Sequence, residues 1–177
     1  YFSTLPLFYN EYHGLGEQAI GILLGVNGLL IFLTEMPLIK WCEQRKFRLF
    51  HIMRFSTFLF ALSFAVLYLV PTVAFLWVGM CVMSLAEMLN FPFMNRFAFD
   101  RSDQGPPGAY MALFTISWSV ASIVGHPMGL NLVDKLGFMA TWQGFTGVLL
   151  LALALLFVLE RMVRREERMR GPGDPGS

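Results

Sequence analysis

The sequence predicts an all-α protein that crosses a membrane several times. Its 177 residues are 56% hydrophobic and only 14% charged, whereas a soluble domain carries about 25% charged residues. The apolar residues occur in blocks, several of which approach the roughly 20 residues that one helix needs to cross a bilayer. The run LLLALALLFVL at 149–159 is apolar on every side. This run excludes the alternating pattern of transmembrane β-strands.

Five complete spans are predicted, at residues 18–39, 49–70, 73–97, 109–133 and 138–160. The connections between them are short, so consecutive spans are expected to be antiparallel. The first residues, YFSTLPLFYN, are too short to span and are interpreted as the end of a helix whose beginning is missing. Residues 1–162 are therefore predicted to form the helix bundle. Residues 163–177 are predicted to be a charged cytoplasmic tail ending in GPGDPGS, a possible expression remnant.

The basic residues predict the orientation of the chain. When alternate ends of the spans are compared, 12 of the 13 Lys and Arg residues fall on one side, and Lys135 is alone on the other. Lys and Arg in short loops stay on the cytoplasmic side of a membrane. The 37–50 connection, the 97–109 connection and the C-terminus are therefore expected to be cytoplasmic.

Three ionisable residues are predicted to lie at bilayer depth, namely Glu35, Glu87 and His126. An ionisable side chain at bilayer depth costs about 2.5–3.5 kcal/mol on insertion scales, so it marks a candidate functional site. In a helical projection, one face of the 73–97 span carries Met80, Met83, Glu87, Asn90, Phe91 and Met94. Methionine adapts to bulky ligands and Glu87 supplies charge, so this face suits an amphiphilic or cationic ligand. The alternative is that Glu87 bonds a neighbouring helix and the methionines only fill gaps.

The other polar residues in the spans carry weaker signals. Glu35 lies close enough to the cytoplasmic end to reach interfacial water or a basic residue. Asn27 is expected to form a hydrogen bond between helices. Trp118 and His126 share a seam of small and polar residues on the 109–133 span, which usually indicates close helix contact. A lone histidine is more often a packing residue than a titrating one.

Signatures of enzymes are not found in the sequence. It has no glycine-rich phosphate loop, no G-x-S-x-G and no paired His/carboxylate metal motif. Cys42 and Cys81 lack metal or redox spacing and are not expected to pair. The protein is therefore predicted not to be an enzyme and to need no metal or cofactor.

Several segments, taken in order, carry a family resemblance. They are LPLFYNEYHGLGEQAIGILLGVNGLL, the basic turn PLIKWCEQRKFRLF, SLAEMLNFPFMNRFAFD with its Ala86–Glu87 pair, DQGPPGAYMALF, and GHPMGLNLVDKLGFMATW. In this order they resemble the C-terminal half, helices seven to twelve, of a major facilitator superfamily transporter. The closest likeness is to bacterial drug:proton antiporters.

This resemblance implies a six-helix half of a twelve-helix fold, with the first helix truncated and the N-terminal half, or a second copy, as a missing partner. Helix ten of that fold lines the substrate path, which would place Glu87, Asn90 and the methionines there. Helices eight and eleven flank the path and would bring Glu35, Trp118 and His126 to its border. The basic turn resembles a cytoplasmic gating loop in which Glu43 takes the acidic position and the basic run is Arg45, Lys46 and Arg48.

The function expected from these observations is proton-coupled export of small amphiphilic molecules or drugs across the bacterial inner membrane. Two alternatives stay open. One is a proton-linked symporter that takes up sugars or other metabolites, and the other is a membrane interaction subunit without transport activity. The expected partners are a small-molecule substrate, protons and the lipid bilayer, and no nucleic acid.

Overall fold

The computed structural model describes residues 4–69, 73–102 and 108–170. Within these ranges the chain is helical and contains no strand. Its helices are α1 (Thr4–Glu11), α2 (Glu17–Gln44), α3 (Leu49–Leu69), α4 (Val73–Ser102) and α5 (Ala109–Arg170). By length and composition α2, α3, most of α4 and most of α5 are able to cross a membrane. The prediction of an all-α membrane protein is confirmed.

Helix α5 is broken into two arms at Gly137. At 62 residues it would be about 93 Å long if straight, roughly three times the hydrocarbon thickness of a bilayer. Gly137 has φ 79° and ψ 167°, a conformation that is essentially restricted to glycine. The first arm (109–136) and the second arm (138–170) line the same two grooves, so they fold back on each other. The predicted break between the spans 109–133 and 138–160 thus lies at Gly137.

Several helices continue beyond the predicted ends of the spans. Helix α2 runs through Pro37 to Gln44, α4 runs through Pro92 to Ser102, and the second arm of α5 reaches Arg170. The predicted spans end where charged residues begin, because hydropathy measures only the apolar part of a helix. Glu, Gln and Arg are good helix formers, so the same helices continue past the hydrocarbon.

The core lies where α4 packs against α2, α3 and α5, and where α3 packs against α5. Near Gly137, Trp142 is fully buried and its ring contacts four phenylalanine rings from α1, α3 and α5: Phe8, Phe64, Phe138 and Phe145. This aromatic cluster ties the short α1 to the turn of α5. It therefore marks one end of the bundle.

Three ion pairs mark the opposite, basic end. They join Glu43 of α2 to Arg96 of α4 at 3.1 Å, Arg54 of α3 to Glu160 of α5 at 2.8 Å, and Arg101 of α4 to Glu166 of α5 at 2.9 Å. These contacts bring together the helix ends that carry most of the basic residues. Lys135 lies beside Gly137 at the other end. The structure thus places the charge asymmetry along the axis of the bundle.

The backbone at Gly137 leads to a prediction about stability. Gly137→Ala is expected to destabilise the protein by about 1–3 kcal/mol, because alanine is strained at these dihedral angles. No neighbouring atom lies within 4 Å of the position that the added methyl group would take, so the cost is backbone strain and not a clash. The midpoint of thermal unfolding in detergent measures it. Gly144→Ala is the control, since Gly144 is helical, equally open and expected to tolerate alanine. Equal loss in both variants would contradict the prediction.

Candidate functional site

Glu87 lies in the middle of α4 and is only 5% exposed. Among residues 4–69, 73–102 and 108–170, no hydrogen bond or ion pair is formed with its carboxylate. Ionisable residues inside membrane helices are usually paired with one another or with backbone carbonyls. Glu87 is thus a buried acid that the surrounding described helices do not neutralise.

The methionines of the predicted face lie in different surroundings. Met80 and Met83 are 2% and 4% exposed, and the Ser63 hydroxyl of α3 lies 3.3 Å from the Met83 sulfur. Met83 therefore lies in the contact between α3 and α4, and Met80 is buried in the core. Met94, two turns beyond Glu87, is half-buried and borders a groove. The face predicted as one surface is therefore packed near Met80 and open near Met94.

A contact between aromatic rings joins the Glu87 face to the first arm of α5. Phe91, one turn after Glu87, meets Trp118 edge-to-face with ring centroids 5.0 Å apart. Phe91 also reaches Phe60 of α3 at 6.4 Å. Asn90 is half-buried on the same side of α4. The structure therefore brings Trp118 to the open end of the face that carries Glu87 and Asn90.

Trp118 is 53% exposed and lies between two grooves. The larger groove, of about 870 Å³, runs toward the basic end between α4 and both arms of α5 and includes Met94. The smaller, of about 370 Å³, runs toward Gly137 and includes His126. Sites for small molecules usually have volumes of about 300–1,000 Å³. Both grooves are large enough for a small amphiphilic ligand.

Among the described residues, no hydrogen bond, ion pair or ring contact joins His126 or Glu35 to Glu87. His126 is exposed, and its Nδ1 lies 2.7 Å from the Ser122 carbonyl one turn earlier in its own helix. Glu35 is half-buried on α2, and its neighbour Thr34 lies 3.1 Å from the Met88 sulfur of α4. His126 therefore borders a groove, while Glu35 lies beside the contact between α2 and α4.

Ser84 is a polar residue of the core that sequence reasoning missed. Its hydroxyl donates to Oδ1 of Asn27, which is 8% exposed on α2. The prediction that Asn27 bonds another helix is confirmed. Ser84 lies three residues before Glu87, so the two side chains are neighbours on the surface of α4, about one helical turn apart. Serine is common in membrane helices, so the sequence alone does not single out Ser84. Its hydrogen bond becomes visible only when α2 is placed against α4.

The predicted gating loop is compact. Glu43 reaches Arg96 of α4, but both side chains are about half exposed, so the pair is weakly stabilising. The Arg45 backbone caps the end of α2 by donating to the Trp41 carbonyl at 3.1 Å. Lys46 has φ 52° and turns the chain toward α3. Arg48, the last residue of the loop, lines a separate groove between α3 and α5.

The chain is 26% identical over 157 residues to a Na(+), Li(+), K(+)/H(+) antiporter from Planococcus maritimus, a match that covers 87% of this chain and 34% of that protein. It is 25% identical over 167 residues to the uncharacterized MFS-type transporter YttB from Bacillus subtilis (strain 168), covering 92% of this chain and 41% of that protein. No solved structure matches the chain.

The chain thus spans about a third to two fifths of the length of these relatives. The sequence pattern of the Major Facilitator Superfamily matches residues 1–175, nearly the whole chain. Helices long enough to span a membrane, a charge asymmetry along the bundle and this match agree with one another. The chain belongs to the Major Facilitator Superfamily of membrane transporters.

Proposed function

We propose that this chain is the C-terminal six-helix half of a secondary transporter that couples proton entry to the export of small amphiphilic molecules. It would lie in a bacterial inner membrane with its C-terminus in the cytoplasm. The observation that carries the proposal is Glu87, a 5%-exposed carboxylate that no described residue neutralises. The other half of the transporter would form the facing wall of the substrate path.

The surroundings of Glu87 support competition between a proton and a substrate. An isolated carboxylate is costly in an apolar environment, and either a proton or a cationic ligand relieves that cost. Phe91 and Trp118 offer aromatic rings at the open end of the same face, where they could hold the apolar part of a ligand or a cation. Binding of one species would then displace the other, and alternating access would carry them in opposite directions.

A second candidate is exchange of monovalent cations for protons. The relative from Planococcus maritimus is named as such an antiporter. The buried oxygens of Asn27 and Ser84 lie near the level of Glu87, where they could help to hold a small cation. The same carboxylate would serve both candidates, and only the substrate would differ.

The test uses the transporter that contains this chain, reconstituted in vesicles with an imposed pH gradient. A pH-sensitive dye reports proton movement when ethidium, a lipophilic cation, or a salt of Na⁺ or K⁺ is added. We expect Glu87→Gln to abolish the substrate-driven proton signal, because glutamine cannot exchange a proton. Glu17→Gln is the matched control, since Glu17 is an exposed carboxylate in the first turn of α2, and its signal is expected to persist.

Each outcome separates the candidates. An unchanged signal in Glu87→Gln would overturn the role of Glu87. A response to Na⁺ or K⁺ but not to ethidium would favour the second candidate. Movement of protons and substrate in the same direction would indicate the uptake symporter. A folded protein that moves neither substrate nor protons would favour an interaction subunit.

A further inference from the structure

A strongly basic groove lies between the start of α3 and the second arm of α5. It consists of two adjoining cavities of about 470 Å³ and 360 Å³, which share Arg48, Glu160 and Arg164. Five arginines line the two cavities: Arg48, Arg54, Arg161, Arg164 and Arg168. Their lining contains one carboxylate, Glu160. The groove therefore has a large excess of positive charge.

Glu160 already forms ion pairs with two of these arginines. Its Oε2 is 2.8 Å from Arg54, and its Oε1 accepts from Arg164 one turn later in α5. Arg48, Arg161 and Arg168 are exposed, and no ion pair joins them to another residue in the part of the chain that the structure describes. Three guanidinium groups at the groove are thus left for an anion from outside the chain.

Apolar side chains form part of the wall of the groove. Leu49, Phe50 and Val163 line one cavity, and Phe157 lines the other. The Arg54 guanidinium lies 4.5 Å from the centre of the Phe157 ring, which is itself 47% exposed. An aromatic and aliphatic wall beneath a layer of arginines matches the boundary between acyl chains and headgroups.

We propose that this groove binds the headgroup of an anionic phospholipid. Its phosphate would be held by Arg48, Arg161 and Arg168, because the positive charges of these three side chains attract phosphate oxygens. The glycerol and the upper acyl chains would lie against Phe157 and its neighbours. Basic pockets between membrane helices commonly take such headgroups. A free phosphate ion would need the arginines but would gain nothing from the apolar wall. The site lies apart from Glu87 and does not depend on the transport proposal.

The test is native mass spectrometry of the detergent-solubilised transporter titrated with phosphatidylglycerol, with phosphatidylcholine as the neutral comparison. We expect a phosphatidylglycerol adduct that is weakened by the triple variant Arg48→Gln, Arg161→Gln and Arg168→Gln. The expected loss is about fivefold for each arginine, and on the order of a hundredfold for all three.

The matched control removes the same charge from the same end of the bundle. It combines Lys40→Gln, Arg45→Gln and Arg165→Gln, three exposed residues that do not line this groove. This control is expected to keep the adduct. Equal loss in both triples would show general attraction to a basic surface and would overturn the site.

Two further arms complete the test. Replacing the three groove arginines by lysine keeps the charge and is expected to preserve most of the binding. If that folded variant binds as poorly as the glutamine variant, the electrostatic argument is wrong. Inorganic phosphate is the second arm. If millimolar phosphate displaces the lipid completely, the groove is a site for soluble anions and the lipid proposal is overturned.

Discussion

Replacing Glu160 by glutamine is expected to destabilise the bundle by about 3–5 kcal/mol. Glu160 is 6% exposed and joins Arg54 of α3 to Arg164 of its own helix. Only 19% of the Arg54 side chain is exposed, so its charge would stay partly buried without a counter-ion. Breaking a buried pair by removing one partner is costly for this reason. Chemical unfolding of the detergent-solubilised protein measures the change.

The control for Glu160 is Glu43→Gln. Glu43 and Arg96 form an ion pair of similar length, but both side chains are about half exposed. Water then solvates the remaining arginine, so the expected cost is about 0–1 kcal/mol. Combining Glu160→Gln with Arg54→Met should restore much of the stability, because no unpaired charge is left buried. Similar losses in the Glu160 and Glu43 variants would contradict the argument.

Replacing Trp142 by alanine is also expected to cost about 3–5 kcal/mol. The Trp142 side chain is fully buried, and its ring centroid lies 5.5 Å from that of Phe8 and 5.6 Å from that of Phe64. Alanine would leave a cavity where α1, α3 and the turn of α5 meet. Hydrogen exchange should rise most in α1, because this short helix depends on the cluster around Trp142.

Two control variants test whether the packing around Trp142 causes the loss of stability in Trp142→Ala. Trp142→Phe should retain most of the stability, since it keeps an aromatic ring in the cluster. Trp77→Ala removes an indole that is 40% exposed on α4, so it should cost clearly less stability than Trp142→Ala. A loss in Trp77→Ala as large as that in Trp142→Ala would show that the packing around Trp142 has no special role.

The ends of the helices show where sequence reasoning stopped short. The apolar blocks predicted the spans and their antiparallel order, and Gly137 lies between the last two as expected. The extensions to Gln44, Ser102 and Arg170 were missed, because a hydropathy pattern ends at the first charged residues. The ion pair between Arg54 and Glu160 was also beyond prediction. It joins residues that are 106 positions apart, and such a pair depends on how α3 packs against α5.

The candidate site was likewise predictable from the sequence only in part. Its residue types were visible in the sequence, since a glutamate and an asparagine in an apolar helix are exceptional. The helical projection put Met80, Met83 and Met94 on one face with Glu87. The structure shows that Met80 and Met83 are buried, with Met83 against Ser63 of α3, whereas Met94 borders an open groove beside Trp118. The roles of Glu87, Asn90 and Trp118 in transport stay predictions.

The sequence by itself determined that this is a helical membrane protein and that its basic residues gather at one end. It also determined that Glu87 is an ionisable residue within an apolar span, where a charge is costly. Only the tertiary structure decided which side of each helix is packed against protein and which side is open. The reason is that these helices are surrounded by lipid and not by water. Lipid tails are as apolar as a protein core, so a helix side facing lipid and one facing another helix select similar residues. The neighbours of Glu87 and the basic groove therefore emerge only when the helices are assembled.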